Sequence, residues 1–106
     1  MSLRVRFSAE AAAELGAAAA WYDEQRPGLG RTFIGAVEAT LDVLARWPES
    51  GTAISGVDPS LNIRRVPVQR FPYHLPYVVL DGHLRVLAVA HDRRRPRYWA
   101  SRVAES

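Results

Sequence analysis

The dipeptide Asp81-Gly82 constrains the fold of this chain more than any other feature of the sequence. It separates two runs rich in β-branched and aromatic residues, at positions 72–80 and 83–91. An Asp-Gly pair between such runs favours a two-residue type I′ hairpin turn, with positive φ angles at both positions. Counting outward from this turn predicts the following cross-strand pairs: Leu80–His83, Val79–Leu84, Tyr77–Val86, Leu75–Ala88 and Tyr73–Ala90.

This register gives the hairpin two different faces. The first is wholly apolar or aromatic, and we expect it to pack on helices: Tyr73, Leu75, Tyr77, Val79, Leu84, Val86, Ala88 and Ala90. The second mixes polar and apolar side chains: His74, Pro76, Val78, Leu80, His83, Arg85, Leu87, Val89 and His91. Because a large half-apolar surface in contact with water often marks a binding site, we expect the second face to bind a partner.

Two helices are predicted before the hairpin. Ser8 suits an N-cap, and the alanine-rich segment after it predicts a helix from Ala9 to about Gln25. The next helix ends at Pro48 and carries an apolar stripe with helical spacing: Phe33, Val37, Leu41 and Leu44. The large aromatic residues of this region are expected in the core or between the helices: Trp21, Tyr22, Phe33 and Trp47.

The remaining segments complete a recognisable order of elements. Leu3, Val5 and Phe7 alternate with arginines, which predicts a short strand with one buried face. Residues 48–60 are rich in turn formers, and a further strand follows near 61–68. The predicted fold class is therefore α+β: an N-terminal strand, an α-helical hairpin, then an antiparallel β-sheet, in the order β-α-α-β-β-β.

Composition limits the kinds of protein that this chain can be. Its 106 residues predict one domain, residues 1–106. The sequence has no cysteine, which excludes disulfides, thiolate metal sites and cysteine nucleophiles. It also lacks the roughly 18–20 consecutive apolar residues of a membrane span and the apolar region of a signal peptide, so we expect a cytoplasmic protein.

The charges are unevenly distributed along the chain. All 14 cationic Lys or Arg positions are arginines, and nine of them lie in residues 61–106. The acidic residues of that half are three: Asp81, Asp92 and Glu105. A basic half of this kind indicates an acidic partner, either nucleic acid or protein.

Three segments, in order, carry a family resemblance that covers nearly the whole chain. Residues 21–30 read WYDEQRPGLG and resemble the joint between the two helices of ParE-like toxins. Residues 70–77 read RFPYHLPY and resemble the entry to the third strand of these toxins. Residues 91–99 read HDRRRPRYW and resemble their His-x-x-Arg-x-Pro-x-Tyr-Trp ending. The chain therefore resembles the RelE/ParE toxins of type II toxin–antitoxin modules, which include plasmid-stabilisation proteins.

The resemblance implies a partner and three alternative activities. The partner is a cognate antitoxin with an acidic C-terminal segment. ParE-like members inhibit DNA gyrase, which is the activity we expect here. RelE-like members are ribosome-dependent endoribonucleases that cut mRNA without a metal. A degenerate toxin that serves only as an antitoxin partner and co-repressor is the third alternative.

Two sets of candidate site residues follow. For a nuclease, the groups suited to proton transfer and phosphate binding are His74, His91, Arg93 and Tyr98. The predicted register pairs His74 with Val89 and places His91 diagonally on the same face, roughly 7–8 Å away. RelE-like nucleases usually carry an arginine at the position matched by His74, and this departure favours the gyrase alternative.

For antitoxin or target binding, the candidates combine guanidinium groups with aromatic rings: Arg85, Arg93, Arg94, Arg95, Arg97, Tyr98 and Trp99. The pair His91-Asp92 lacks further ligands to complete a metal site, so neither a metal nor another cofactor is expected.

Overall fold

The computed structural model describes residues 2–105, and these form an α+β fold in the predicted order. The helical layer consists of α1 (Ala9–Gln25) and α2 (Leu29–Arg46). The strands are β1 (Arg4–Phe7), β2 (Thr52–Ala53), β3 (Arg64–Pro67), β4 (Tyr73–Leu80), β5 (His83–Val86) and β6 (Ala90–His91). Two short 3₁₀ helices span Pro59–Leu61 and Ala100–Glu105. The predicted fold class is confirmed, and β2 is an addition within the segment predicted as a loop.

The sheet has the spatial order β1-β5-β4-β3-β2, and β6 also pairs with β4. β1 lies parallel to β5, whereas the other neighbouring strands are antiparallel. Both helices and the strands β2, β3 and β4 lie between β1 and β5 in the chain. The strands that follow the helical hairpin form the predicted antiparallel sheet, and β1 adds a parallel pair at one of its edges.

The helical hairpin forms as its sequence predicts. The Ser8 side chain caps α1 by accepting a hydrogen bond from the amide of Ala11, at 3.0 Å. At the other end, the amide of Gly30 donates to the Asp23 carboxylate at 2.8 Å. A Cβ atom at residue 30 would overlap the carbonyl oxygen of Ala19, so only glycine allows the helices to approach this closely.

The main core lies between the helices and one face of the sheet. α1 contributes small side chains and Tyr22, α2 contributes its predicted apolar stripe, and the sheet contributes Leu75, Tyr77, Leu84 and Val86. Tyr22 and Phe33 also contact Phe71 and Tyr73, with ring centroids 4.9–6.3 Å apart. This aromatic cluster closes the core at the end where α1 turns into α2.

The predicted turn at Asp81-Gly82 is confirmed, because both residues have positive φ angles of 49° and 78°. The register is confirmed from Leu80–His83 to Tyr77–Val86. Beyond Tyr77 the prediction is wrong: His74 pairs with Ala90, and Tyr73 pairs with His91. Three residues, 87–89, therefore face two residues of β4, which is the pattern of a β-bulge.

The bulge has a chemical cause in Pro76. The amide of Leu87 donates to the carbonyl of Pro76 at 2.9 Å, but proline has no N–H to return the bond. The carbonyl of Leu87 instead accepts from the Ser8 hydroxyl at 3.3 Å and from the Arg102 guanidinium at 3.0 Å. The ladder of backbone hydrogen bonds is thus interrupted at Pro76. The carbonyl of Leu87, which has no backbone donor here, is bound by side chains instead.

The bulge exchanges the two faces of the strand beyond Leu87. Ala88 and Ala90, predicted on the helix side, lie in a second core on the opposite face of the sheet. Val89, predicted on that opposite face, packs in the main core. An error of one residue in the register moves every later side chain to the other face of the sheet, because side chains alternate along a strand.

The second face of the sheet is not the exposed surface that the sequence predicted. Residues 98–103 and the segment 54–63 fold across its centre and form the second core. Val78 and Leu87 are buried there beneath Trp99, which is 2% exposed. The half-apolar character of this face is therefore explained by an intramolecular cover.

Three side chains predicted to be buried are exposed. Trp21 is 54% exposed and Trp47 is 61% exposed, whereas their helical neighbours Tyr22 and Phe33 are buried as predicted. Val79 lies near the tip of the hairpin and is 42% exposed. Neither helix in the described part of the chain is long and apolar enough to cross a membrane.

Candidate functional site

Residues 98–102 are attached to α1 and to the bulge through one carboxylate, that of Glu14. The Tyr98 hydroxyl donates to this carboxylate at 2.7 Å, and the Arg102 guanidinium forms an ion pair with it at 2.9 Å. The amide of Val89, freed from the ladder by the bulge, also donates to Glu14 at 3.0 Å. Glu14 therefore links α1 to two segments more than 70 positions later in the sequence.

The Tyr98 hydroxyl is held in its protonated form by this environment. Burial of the ring, together with the hydrogen bond to the negatively charged Glu14, raises the pKa of Tyr98 to about 12. The guanidinium carbon of Arg94 lies 3.9 Å from the centroid of the Tyr98 ring, and that of Arg102 lies 5.2 Å away. The candidate Tyr98 is thus enclosed by Glu14 and two arginines.

The arginine-rich turn, residues 93–97, is exposed along its whole length and follows β6. Arg94 covers Tyr98, and the Arg97 guanidinium lies against Gly56 in the segment that contributes to the second core. Arg93 and Arg95 are exposed, and within residues 2–105 neither forms an ion pair. Trp99, the remaining aromatic candidate, is buried and offers no surface in this conformation.

His74 forms a pair with Asp92, the residue that directly precedes the arginine-rich turn. Its Nδ1 atom lies 2.9 Å from the Asp92 carboxylate, and its side chain is mostly buried, with 15% of its surface exposed. The structure brings these residues together because Asp92 follows β6 directly, and its amide donates to the carbonyl of Pro72 at 2.8 Å. The sequence indicated His74 as a candidate but did not indicate Asp92 as its partner.

His91 is separated from His74 by the sheet itself. Because the bulge shifts the register, His91 lies opposite Tyr73, and the two rings meet edge to face with centroids 5.0 Å apart. Its Nδ1 atom accepts from the amide of Arg93 at 3.1 Å, so its free nitrogen is Nε2. The predicted placement of His74 and His91 on one face is wrong.

A basic strip lies on the second face where β1 meets β5. The parallel register pairs Arg4 with His83 and Arg6 with Arg85, so these four residues share one face: Arg4, Arg6, His83 and Arg85. Arg85 was a sequence-based candidate, whereas the importance of Arg4 and Arg6 was missed. The parallel pairing of β1 with β5 would have indicated them, but no local signal in the sequence predicts which strand becomes the neighbour of β1.

An apolar groove of about 500 Å³ runs between α2 and the β3–β4 connection. Its walls are mainly small and apolar side chains, among them Ala36, Ala39, Val43, Val66 and Phe71. Val43 is 51% exposed, and Trp47 follows one helical turn later. This groove suits the apolar face of a helix more than a polar metabolite.

The described residues contain no cluster of three or more His, Cys, Asp or Glu side chains that could hold a metal ion. The His74–Asp92 pair is therefore best considered by itself, as an imidazole oriented by a carboxylate.

Comparison with known proteins gives a consistent picture. Residues 5–96 match the family model described as ParE toxin of type II toxin-antitoxin system, parDE. Among solved structures, the chain is similar to the one titled "Chromosomal ParDE TA system from P. aeruginosa", with a TM-score of 0.70 and 18% sequence identity. That alignment covers 85% of this chain and 96% of the other. No curated protein sequence matches the chain.

Proposed function

The chain belongs to the ParE toxin family of type II toxin–antitoxin systems, and from that premise we propose that it inhibits DNA gyrase and is neutralised by a cognate antitoxin. An inhibitor of this kind acts through a binding surface. It needs no set of proton-transfer groups converging on one reacting phosphate.

The observation that carries this proposal is the position of the Tyr98 hydroxyl. Metal-independent RNA cleavage needs a base, an acid and a phosphate-binding cation around one phosphate. Here the Tyr98 hydroxyl donates its proton to the Glu14 carboxylate, so this hydrogen bond would have to break before Tyr98 could protonate a leaving oxygen. His74 and His91, the other candidate proton-transfer groups, lie on opposite faces of the sheet. This dispersal supports a binding function.

For the antitoxin we propose two contact regions of different chemistry. The apolar groove along α2, which is lined in part by the exposed Val43, would take the apolar side of an amphipathic helix. The arginine-rich turn, residues 93–97, would bind acidic side chains of the same partner. A complex that occupies both would bury on the order of 2,000 Å² or more, the size of an obligate interface.

The His74–Asp92 pair supports ribonuclease activity as the second candidate. With Nδ1 directed at the carboxylate, Nε2 of His74 would be the atom that removes a proton from a ribose hydroxyl. Arg93 follows Asp92 directly and would be the nearest candidate cation in the sequence. One experiment that follows mRNA and DNA supercoiling together decides between gyrase inhibition and ribonuclease activity.

The test follows mRNA integrity and DNA supercoiling together after induction of the wild-type protein and of three variants: His74→Ala, Arg93→Ala and Tyr98→Phe. We expect intact mRNA, inhibited supercoiling and graded effects of the variants, since a binding surface distributes its energy over many contacts. Codon-specific mRNA cleavage that falls about 10²–10⁴-fold in a folded variant would replace the gyrase proposal with the ribonuclease. A folded protein with neither effect would indicate a degenerate toxin.

A further inference from the structure

The charges of the molecule are divided between its two layers. The helical hairpin, residues 9–46, carries six acidic residues and three arginines. The rest of the chain, which forms the sheet and the cover over its second face, carries eleven arginines and five acidic residues. A polyanion would therefore be repelled by the helical layer and attracted to the sheet side of the molecule.

The basic strip on this side presents guanidinium groups without protein partners. Arg4 and Arg6 are exposed, and neither forms an ion pair in the described part of the chain. Arg85 is partly exposed, and its Nε atom is buried without a hydrogen-bond partner among the described residues. Since this guanidinium has lost part of its hydration without gaining an acceptor, an anion at its open end would stabilise it.

The sheet holds these cations at fixed separations. Arg4 and Arg6 are alternate residues of β1, with Cα atoms roughly 6.6–6.8 Å apart, and Arg85 lies across from Arg6 on a strand roughly 4.7–4.9 Å away. Guanidinium groups bind phosphate oxygens in a bidentate manner. Because each strand of duplex DNA carries one phosphate about every 3.4 Å along the helix axis, a cluster of this size can contact two or three successive phosphates.

The apolar part of the second face is not available to a partner. Val78 and Leu87 are buried there, and Trp99, which covers them, is buried as well. Stable protein interfaces have an apolar centre, whereas DNA interfaces are more polar and strongly positive. The surface that the strip offers is therefore better suited to a phosphate backbone than to a protein.

We propose that the basic strip binds the phosphate backbone of duplex DNA without reading its sequence. Contacts to phosphates carry no sequence information directly, and the strip consists of side chains on a sheet face, with no projecting helix or ribbon to enter a groove. The inference rests on the proposed function in one respect: gyrase acts on DNA, so a toxin bound to gyrase would meet the duplex there.

The first experiment measures binding of a short labelled duplex of mixed sequence to the full chain, by fluorescence anisotropy at a series of salt concentrations. If each arginine of the strip neutralises one phosphate, the logarithm of the association constant falls against the logarithm of the salt concentration with a slope of about −2.7. Arg4→Gln with Arg6→Gln should reduce the size of this slope by about 1.8 and weaken binding about tenfold or more at low salt.

Two control pairs change the net charge by the same amount at other exposed positions. Arg26→Gln with Arg31→Gln lies on the helical hairpin and should leave the slope unchanged. Arg93→Gln with Arg95→Gln lies in the arginine-rich turn. If the pair in the turn lowers the slope and the pair in the strip does not, the site is the turn and the inference is wrong.

The second experiment uses the wild-type protein, so it does not depend on folding of the variants. Phenylglyoxal modifies accessible guanidinium groups, and mass spectrometry of the digested protein identifies which arginines have reacted. Saturating duplex DNA should protect Arg4, Arg6 and Arg85 while Arg26 and Arg31 react as before. Equal protection of both sets, or no protection of the strip, would contradict the proposal.

Other polyanions have their own signatures. Displacement of the duplex by oligoglutamate of equal charge, at the same or a lower concentration and dependent on Arg4 and Arg6, would assign the strip to an acidic protein instead. Tighter binding of single-stranded RNA of equal charge would assign it to RNA. Gyrase is absent from these assays, so a toxin that inhibits supercoiling without binding DNA would overturn this inference alone.

Discussion

At the scale of single residues, the missing N–H of Pro76 determines which groups bind the backbone of residues 87–89. Pro76 cannot donate to Leu87, so the carbonyl of Leu87 is bound by Ser8 and Arg102 instead. The same interruption frees the amide of Val89 for Glu14. A proline in an inner strand is therefore tolerated here because side chains from α1 and from residues 98–102 replace the lost ladder bonds.

The hydroxyl of Tyr98 gives a prediction about alkaline pH. Because burial and Glu14 raise the pKa of Tyr98 from 10.0 to about 12, the folded state holds its proton more tightly than the unfolded state. The resulting stabilisation is complete below about pH 10 and is lost as the pH rises through about 12. Tyr98→Phe should be less stable at neutral pH and should lose less stability than the wild type between these two values.

Urea unfolding at a series of pH values measures this difference directly. Tyr22, Tyr73 and Tyr77 also have raised pKa values through burial and remain in both proteins, so they cancel in the comparison. Parallel pH profiles for wild type and Tyr98→Phe would mean that burial and Glu14 do not raise the pKa of Tyr98 in the folded protein.

At the scale of elements, the β4–β5 hairpin shows how far pattern reasoning reaches. The Asp81-Gly82 turn fixed the register correctly for the first four pairs, because turn geometry acts over a short range. The register failed beyond Tyr77, where Pro76 removes a donor and the count of residues on the two strands becomes unequal. The proline was visible in the sequence and was the signal for a bulge.

The helical hairpin was predicted well for a related reason. Its caps, its apolar stripe and its glycine-containing joint are all local features. The pairing of β1 with β5 joins segments about 80 positions apart, so no local feature of the sequence predicts it. The basic strip and the His74–Asp92 pair depend on such long-range placement, so the candidate site was predicted less completely than the fold.

Two valines of the β4–β5 hairpin, Val79 and Val86, give a matched prediction for the sheet. Val86 is fully buried between the sheet and the helices, whereas Val79 is 42% exposed near the turn. Val86→Asp would bury an unpaired carboxylate, at a cost of several kcal/mol in a domain of marginal stability. We expect Val86→Asp to abolish the cooperative unfolding transition and Val79→Asp to retain it, as measured by circular dichroism. Equal loss in both variants would contradict the burial assigned to these strands.

At the scale of the whole molecule, the sheet separates two cores of unequal size. The main core joins the helices to one face, and the second core lies under residues 98–103 and the segment 54–63. The second core depends on one large side chain, that of Trp99, together with Leu87 and Val78 beneath it. The Glu14 carboxylate ties this cover to the helical layer through Tyr98 and Arg102.

Removal of the Trp99 side chain should therefore expose the second face of the sheet. Trp99→Ala is expected to cost about 3–5 kcal/mol, the usual range for a buried tryptophan. It should also increase binding of a dye that reports exposed apolar surface. Trp21→Ala is the control, because Trp21 is 54% exposed and its removal should change neither quantity much. Similar behaviour of the two variants would show that residues 98–103 do not cover the sheet in solution.

The parallel pairing of β1 with β5 also has a consequence for the order in which the protein is made. Residues 4–7 are synthesised about 80 residues before their strand partner, residues 83–86. At 5–20 residues per second, β1 waits for several seconds without its neighbour. Contacts between such distant segments also slow folding. During synthesis there is thus an interval in which the residues of the helical hairpin have been made but β5, and with it the basic strip, has not.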